Sequence, residues 1–174
     1  MSAISIVEHP PSGSIEDFMK VARELFKNDP NWVAPLKIML KDQLSPKSPF
    51  FQHADVMLFT ARKNGELVGR ISAQIDREHL KRYNDDLGFY GFLDTTNDPE
   101  VAKELLSAAK AWLKKRGMKK MRGPMNLSVN QEVGTLIEGF DTPPMVMMPH
   151  SLPYQDEVTL AAGMEKAKDL YAWR

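Results

Sequence analysis

The chain has 174 residues, 43% of them hydrophobic, enough to bury one sizeable core. Its 23 basic and 23 acidic residues cancel, which argues against sequence-independent binding to nucleic acid or an anionic membrane. There is no cysteine, and His9, His53, His79 and His150 are scattered without a helical metal-ligand spacing, so disulfides and thiolate sites are excluded and no metal is expected.

No basic segment followed by an apolar run opens the sequence, and no apolar stretch approaches the ~20 residues that span a bilayer. The expected location is the cytoplasm. With neither repeats nor low-complexity tracts, residues 1–174 are expected to form one domain.

Ile4 to Glu8 reads as a first strand, ended by His9-Pro10-Pro11 because proline cannot donate to a ladder. Ser14 is placed to cap a helix whose apolar residues Ile15, Phe18, Met19, Ala22, Leu25 and Phe26 recur at three- and four-residue spacing. A less regular helix is expected from Val33 to Leu44, before a loop carrying Pro46, Pro49 and Phe50-Phe51. Val56–Arg62 and Leu67–Asp76 then form a hairpin, since Asn64-Gly65 supplies the positive φ angles of a tight turn. Arg77 to Asp86 is a polar connection. Gly88 to Leu93 forms the third strand of a meander, its glycines permitting a bulge or the close approach of a ligand backbone. Asp98 caps the best-marked helix, with Pro99 at its first position and Lys114-Lys115-Arg116-Gly117 at its end. Lys119 to Arg122 makes another strand, and this order of elements predicts an α+β or mixed-sheet domain.

The meander followed by PEVAKELLSAAKAWLKKRGMKKMRG resembles the central part of the GNAT acyl-CoA N-acyltransferases. The tail YQDEVTLAAGMEKAKDLYAW is similar to that family's later helix, glycine-hydrophobe turn and closing strand. RGPMN with GFDTPPMVMMPH further resembles a bacterial subgroup of GNAT-like proteins. The resemblance implies an α/β/α sandwich whose mixed, mostly antiparallel central sheet carries helices on both faces. It also implies acetyl-CoA or another acyl-CoA as co-substrate, and a small amine as acceptor.

In that family, backbone amides at a helix start hold the coenzyme's pyrophosphate, and glycines let it approach. The family's motif, Gln or Arg, two residues, Gly, one residue, then Gly or Ala, falls here on Asn97, Asp98, Pro99, Glu100, Val101 and Ala102, and only Ala102 matches. Pro99 removes an amide donor, while Asp98 and Glu100 bring carboxylates to the place of a polyanion. Asp98-Pro99-Glu100 is also what an ordinary unliganded helix start looks like. On the resemblance, coenzyme contacts fall on Phe92, Leu93, Asn97, Val101 and Ala102.

Acyl transfer to an amine also needs a base, an amide donor for the developing oxyanion, and an acid for the thiolate. The family's tyrosine acid falls on Thr159 or Thr135, so Tyr154 becomes a candidate, against a plain amphipathic role. Glu132 is a candidate base if burial raises its pKa, and otherwise a solvated carboxylate. His150 could carry a proton near neutral pH or simply bond within a turn. Tyr90, Asn126 and Asn130 are candidate substrate contacts, although the two asparagines would equally cap local backbone. Met145, Met147 and Met148 are expected in the core, or else lining an acyl pocket.

Two functional classes remain: an acyl-CoA-dependent N-acyltransferase acting on a small amine, and a catalytically silent GNAT-like binding or interaction domain with a degraded pyrophosphate turn. A nucleotide hydrolase is disfavoured, because Asp85-Asp86 lacks the carboxylate company that magnesium needs. A monomer or a two-fold homodimer is expected.

Overall fold

The computed structural model describes residues 3–172. A five-stranded sheet in the order β1-β2-β3-β4-β5 forms its centre. β1 (Ile4–His9), β2 (Ala54–Lys63), β3 (Glu66–Asp76) and β4 (Leu87–Thr95) are antiparallel in turn, and β5 (Lys120–Arg122) runs parallel to β4. The Asn64-Gly65 turn is where the sequence placed it, both residues at positive φ.

Alternation along β2 sends Met57, Phe59 and Ala61 to one face and Val56 and Leu58 to the other. The first face is covered by α4 (Pro99–Lys114), which buries Val101, Leu105, Ala109 and Trp112. The second packs on Phe18 and Met19 of α1 (Glu16–Leu25) and Leu40 of α2 (Lys37–Gln43). Helices therefore lie on both faces of a mixed, mostly antiparallel sheet. The remaining helices are α3 (Arg77–Tyr83), α5 (Gln155–Ala161) and a 3-10 turn at Pro49–Gln52.

Several sequence expectations change. The Arg77–Asp86 connection begins with α3, because Asp76 Oδ1 accepts from the amides of Glu78 and His79 and so caps a helix there. The helix expected over Val33–Leu44 shrinks to Lys37–Gln43, since Pro35 disfavours helical geometry at the residue before it. The helix starts at Glu16 behind Ile15, one residue later than a Ser14 cap implies, and Ser14 Oγ accepts from Glu16 N in a long bond of 3.5 Å. The closing strand implied by the resemblance does not form over residues 164–172, which are irregular and largely exposed. Trp173 lies outside the described residues. Met145, Met147 and Met148 are exposed rather than buried. Their segment is tied at both ends to the loop between α1 and α2, where His150 bonds Asp29 and Asn31 bonds the Phe140 carbonyl.

Candidate functional site

The fold changes character along β4. Its pairing with β5 stops after Leu87–Phe89, and the chain that follows β5 closes against it instead. Met125 N donates to Tyr90 O at 2.8 Å. A Cβ on Gly91 would come within 2.0 Å of Met125 O, and one on Gly123 within 2.3 Å of Tyr90 O. Glycine is required at both positions because two backbones touch there. The close approach expected at the β4 glycines thus occurs, but the approaching backbone is the chain's own.

Opposite this contact the β3–β4 register shifts between Arg70 and Ser72, and Phe92 takes a left-handed φ of +49°. Such a bulge re-aims backbone groups out of the ladder. Phe92 N donates to Asn126 Oδ1 at 2.6 Å, Thr95 N donates to Gln155 Oε1 at 3.2 Å, and the Tyr154 hydroxyl donates to Thr95 O at 2.9 Å. Past Phe89, side chains rather than a strand meet this edge of β4.

A charged cluster surrounds the bulge. Arg70 and Asp94, directly opposite on β3 and β4, form a pair at 2.7 Å whose side chains are 9% and 13% exposed. Arg70 also donates to Phe18 O and lies over the rings of Phe18 and Phe92. Both charges are therefore taken largely out of water but compensated. Asn126 Nδ2 donates to Glu132 Oε2 at 2.7 Å. The Asn126 carboxamide is oriented from both ends, since an N–H faces its oxygen and a carboxylate faces its nitrogen. Glu132 is exposed as a residue, yet burial of its carboxyl pushes the pKa up; nearby Asp94 adds to this, against the Asn126 bond and the Arg70 charge. Burial likewise raises the Tyr154 phenol, with Asp94 contributing. Three sequence candidates, Asn126, Glu132 and Tyr154, thus gather around Arg70 and Asp94.

The start of α4 is filled. Asp98 Oδ1 accepts from Glu100 N at 3.0 Å, and Asp98 O accepts from the amides of Val101 and Ala102. Lys63 Nζ lies 2.6 Å from Asp98 Oδ2, and with the Glu100 and Val101 amides it holds the Asp98 carboxyl below the usual range, against burial. The donors that would hold a diphosphate are thus spent on the helix's own cap, beside two carboxylates. This turn does not fit the coenzyme's diphosphate. Val101 and Ala102 are wholly buried in the α4 core, while Asn97 is exposed in the turn.

The other candidates stand apart. His150 Nε2 meets Asp29 Oδ2 at 2.7 Å beside the Phe26 ring. Burial alone would raise Asp29, but the His150 bond and the amides of Asn31 and Trp32 bring it below the usual range. Asn130 is exposed and donates through its backbone to Ser128 Oγ. Tyr90 is 2% exposed in the α4 core, where burial drives its phenol far up. Phe92 and Leu93 are buried, to opposite sides of β4. A cavity of about 360 Å³ lies elsewhere, between β1, β2 and the end of α4, lined by Ile6, Met57, Phe59, Trp112, Lys115 and Arg116 among others.

Comparison with solved structures fixes the architecture. The chain superposes over its whole length on the aminoglycoside N-acetyltransferase AAC(6')-Iy in complex with CoA, covering 95% of that chain with a TM-score of 0.58 at 15% identity. The chain has the GNAT fold. No protein-family profile matches it. Protein YghO of Escherichia coli K12 is 45% identical over 159 residues, 91% of this chain and 41% of that protein. The bacterial ceramide synthase of Caulobacter vibrioides is 42% identical over 173 residues, 98% of this chain and 45% of that protein. The chain therefore spans less than half the length of these curated relatives. Among the described residues, no helix is long and apolar enough to cross a membrane.

Sequence reasoning missed Arg70, Asp94 and Gln155. Arg70 lies on the face of β3 that α1 covers, where it is buried against Phe18. A charged residue mid-strand on a covered face is the signal that marks such a pair. Gln155, 3% exposed, carries no comparable signal: it opens a short helix and reads as a polar first-turn residue.

Proposed function

We propose that this chain supports transfer of an acyl group from a thioester to an amine, at the bulge of β4. The observation that carries the reading is the line Phe92 N–H, Asn126, Glu132, which puts an amide donor and a carboxyl of raised pKa at one edge of the sheet. The amide suits an acyl carbonyl acquiring negative charge, and the carboxylate suits removal of a proton from the attacking ammonium or amine. Tyr154, bonded to Thr95 O beside Asp94, is the candidate acid for the leaving thiolate. The GNAT fold and the name of one relative, a ceramide synthase, support an enzyme over a silent binding domain.

The acceptor we favour is a long-chain amine. One relative is named a ceramide synthase, and a ceramide is the N-acyl amide of a long-chain amino alcohol. The surface agrees: Val33, Leu36, Ile38 and Met39 are exposed beside α1, and Met145, Val146, Met147 and Met148 are exposed on the segment pinned to Asp29 and Asn31. Exposed apolar groupings of this kind mark sites for apolar ligands or partners. An acyl-CoA remains the donor of choice, with its diphosphate held elsewhere than at the α4 turn.

The test is amide formation from an acyl-CoA and primary amines of graded chain length, followed by mass spectrometry. The reading expects product that increases with acceptor chain length. Absence of amide with every amine would overturn it.

A further inference from the structure

Beyond Phe89, β4 exposes backbone groups that no strand takes up, and two carboxamide oxygens meet its amides. They differ in one respect. Gln155 is 3% exposed, accepts from both Thr95 N and Thr95 Oγ1, and donates on to Thr159 Oγ1 inside the α4–α5 packing. It is built in. Asn126 sits at the rim, and its two side-chain bonds go to Phe92 N at 2.6 Å and to the exposed Glu132 at 2.7 Å. Its backbone is held independently, through Asn126 N to Glu132 O at 2.9 Å. The side chain can therefore rotate away while the chain around it stays in place.

A thioester C=O accepts from an amide N–H as a carboxamide C=O does, and more strongly as it gains negative charge in the reaction. Asn126 Oδ1 thus occupies, on the Phe92 amide, the place that a reacting carbonyl needs. Extended ligands that add to a free sheet edge commonly exchange such hydrogen bonds. The second bond of the same carboxamide restrains Glu132, so one side chain joins the oxyanion donor to the base.

We propose that Asn126 is a displaceable stop: an incoming acyl carbonyl takes over the Phe92 amide, and the departure of the Asn126 side chain frees the Glu132 carboxylate for the amine. This rests on the acyl-transfer reading and makes Asn126 a positioning residue that couples donor arrival to base release. Before the donor arrives, Glu132 is occupied and the bulge amide is covered. Afterwards both are available together.

The coupling is tested by binding, independently of turnover. The probe is an S-(2-oxoalkyl)pantetheine, a ketone analogue of an acylated pantetheine that keeps the carbonyl but cannot transfer it, titrated into the purified chain and read by amide NMR and calorimetry. In the wild type, the Phe92 amide and the Asn126 side-chain NH2 signals are expected to move together with one Kd. Asn126→Ala removes a competing hydrogen bond worth ~1 kcal/mol, so binding is expected to tighten about fivefold. Glu132→Gln, which leaves the asparagine in place, replaces a charge-assisted hold with a neutral one and is expected to tighten binding in the same direction, by a smaller factor. A merely structural asparagine predicts equal or weaker binding in both variants. That result, or a probe that moves neither signal, would overturn the stop. Binding with the expected pattern but no amide product would instead overturn the acyl-transfer reading alone.

Discussion

Arg70 shows how much a single charge carries at this site. Its guanidinium neutralises Asp94, bonds Phe18 O and packs against the Phe18 and Phe92 rings. Arg70→Ala leaves Asp94 uncompensated in a covered position and should cost about 3 kcal/mol in chemical denaturation. Arg70→Met with Asp94→Leu should recover most of that loss, since a matched apolar pair needs no compensation. Asn126 and Glu132 could be picked from the sequence as polar residues after the last expected strand, and Tyr154 as a substitute for the family's tyrosine acid. Their meeting could not: Asn126 and Glu132 are joined by an irregular turn, and Tyr154 reaches Thr95 only because α5 packs on α4. His150 was chosen for its proton chemistry near neutral pH, yet it lies beside the Phe26 ring and bonds Asp29, away from this cluster.

Among the elements, β4 and α4 decide what the site can hold. The Asp98 cap should be worth about 1 kcal/mol to the helix, so Asp98→Ala should lower stability by that amount. Because Asp98 is held below the usual range, chiefly by Lys63, its contribution is complete above the unfolded-state pKa. It fades as the pH falls through the folded value, so wild type and variant should converge in strong acid. Replacing Asp98-Pro99-Glu100 with a glycine-rich turn should weaken the helix and, with the diphosphate held elsewhere, leave CoA binding unchanged in calorimetry; tighter binding would return the diphosphate to this turn. Gly91→Ala forces a methyl onto Met125 O, and a destabilisation of at least 1–3 kcal/mol is expected from overpacking against backbone. The hairpin, α4 and the first strand were legible because turn chemistry, capping and periodicity agreed. α3 was hidden by a polar composition, its start being set by the side chain of Asp76, the last residue of β3.

For the whole molecule, the GNAT architecture was readable from the order of elements and the resemblance around α4, and the solved neighbours agree with it. The tail was less legible. Residues 164–172 carry the family's turn but form no strand, and with β5 only three residues long the sheet ends there. The exposed apolar residues beside α1 and α2 favour an acceptor with a long hydrocarbon chain. Charged substitutions at Ile38 and Val146 should raise KM for a long-chain amine severalfold and leave a short amine unaffected, as read in steady-state kinetics.

The claim on which these readings depend is that Glu132 acts as a base at the β4 bulge. The pH dependence of amide formation by wild type and Glu132→Gln tests it directly. A carboxyl whose pKa is raised, chiefly by burial, must lose its proton before it can accept one. The wild-type rate should therefore climb with pH through a limb above the ordinary glutamate range. Glu132→Gln should lose at least a hundredfold in rate, and the limb with it. A variant that keeps both the rate and the limb would contradict the account.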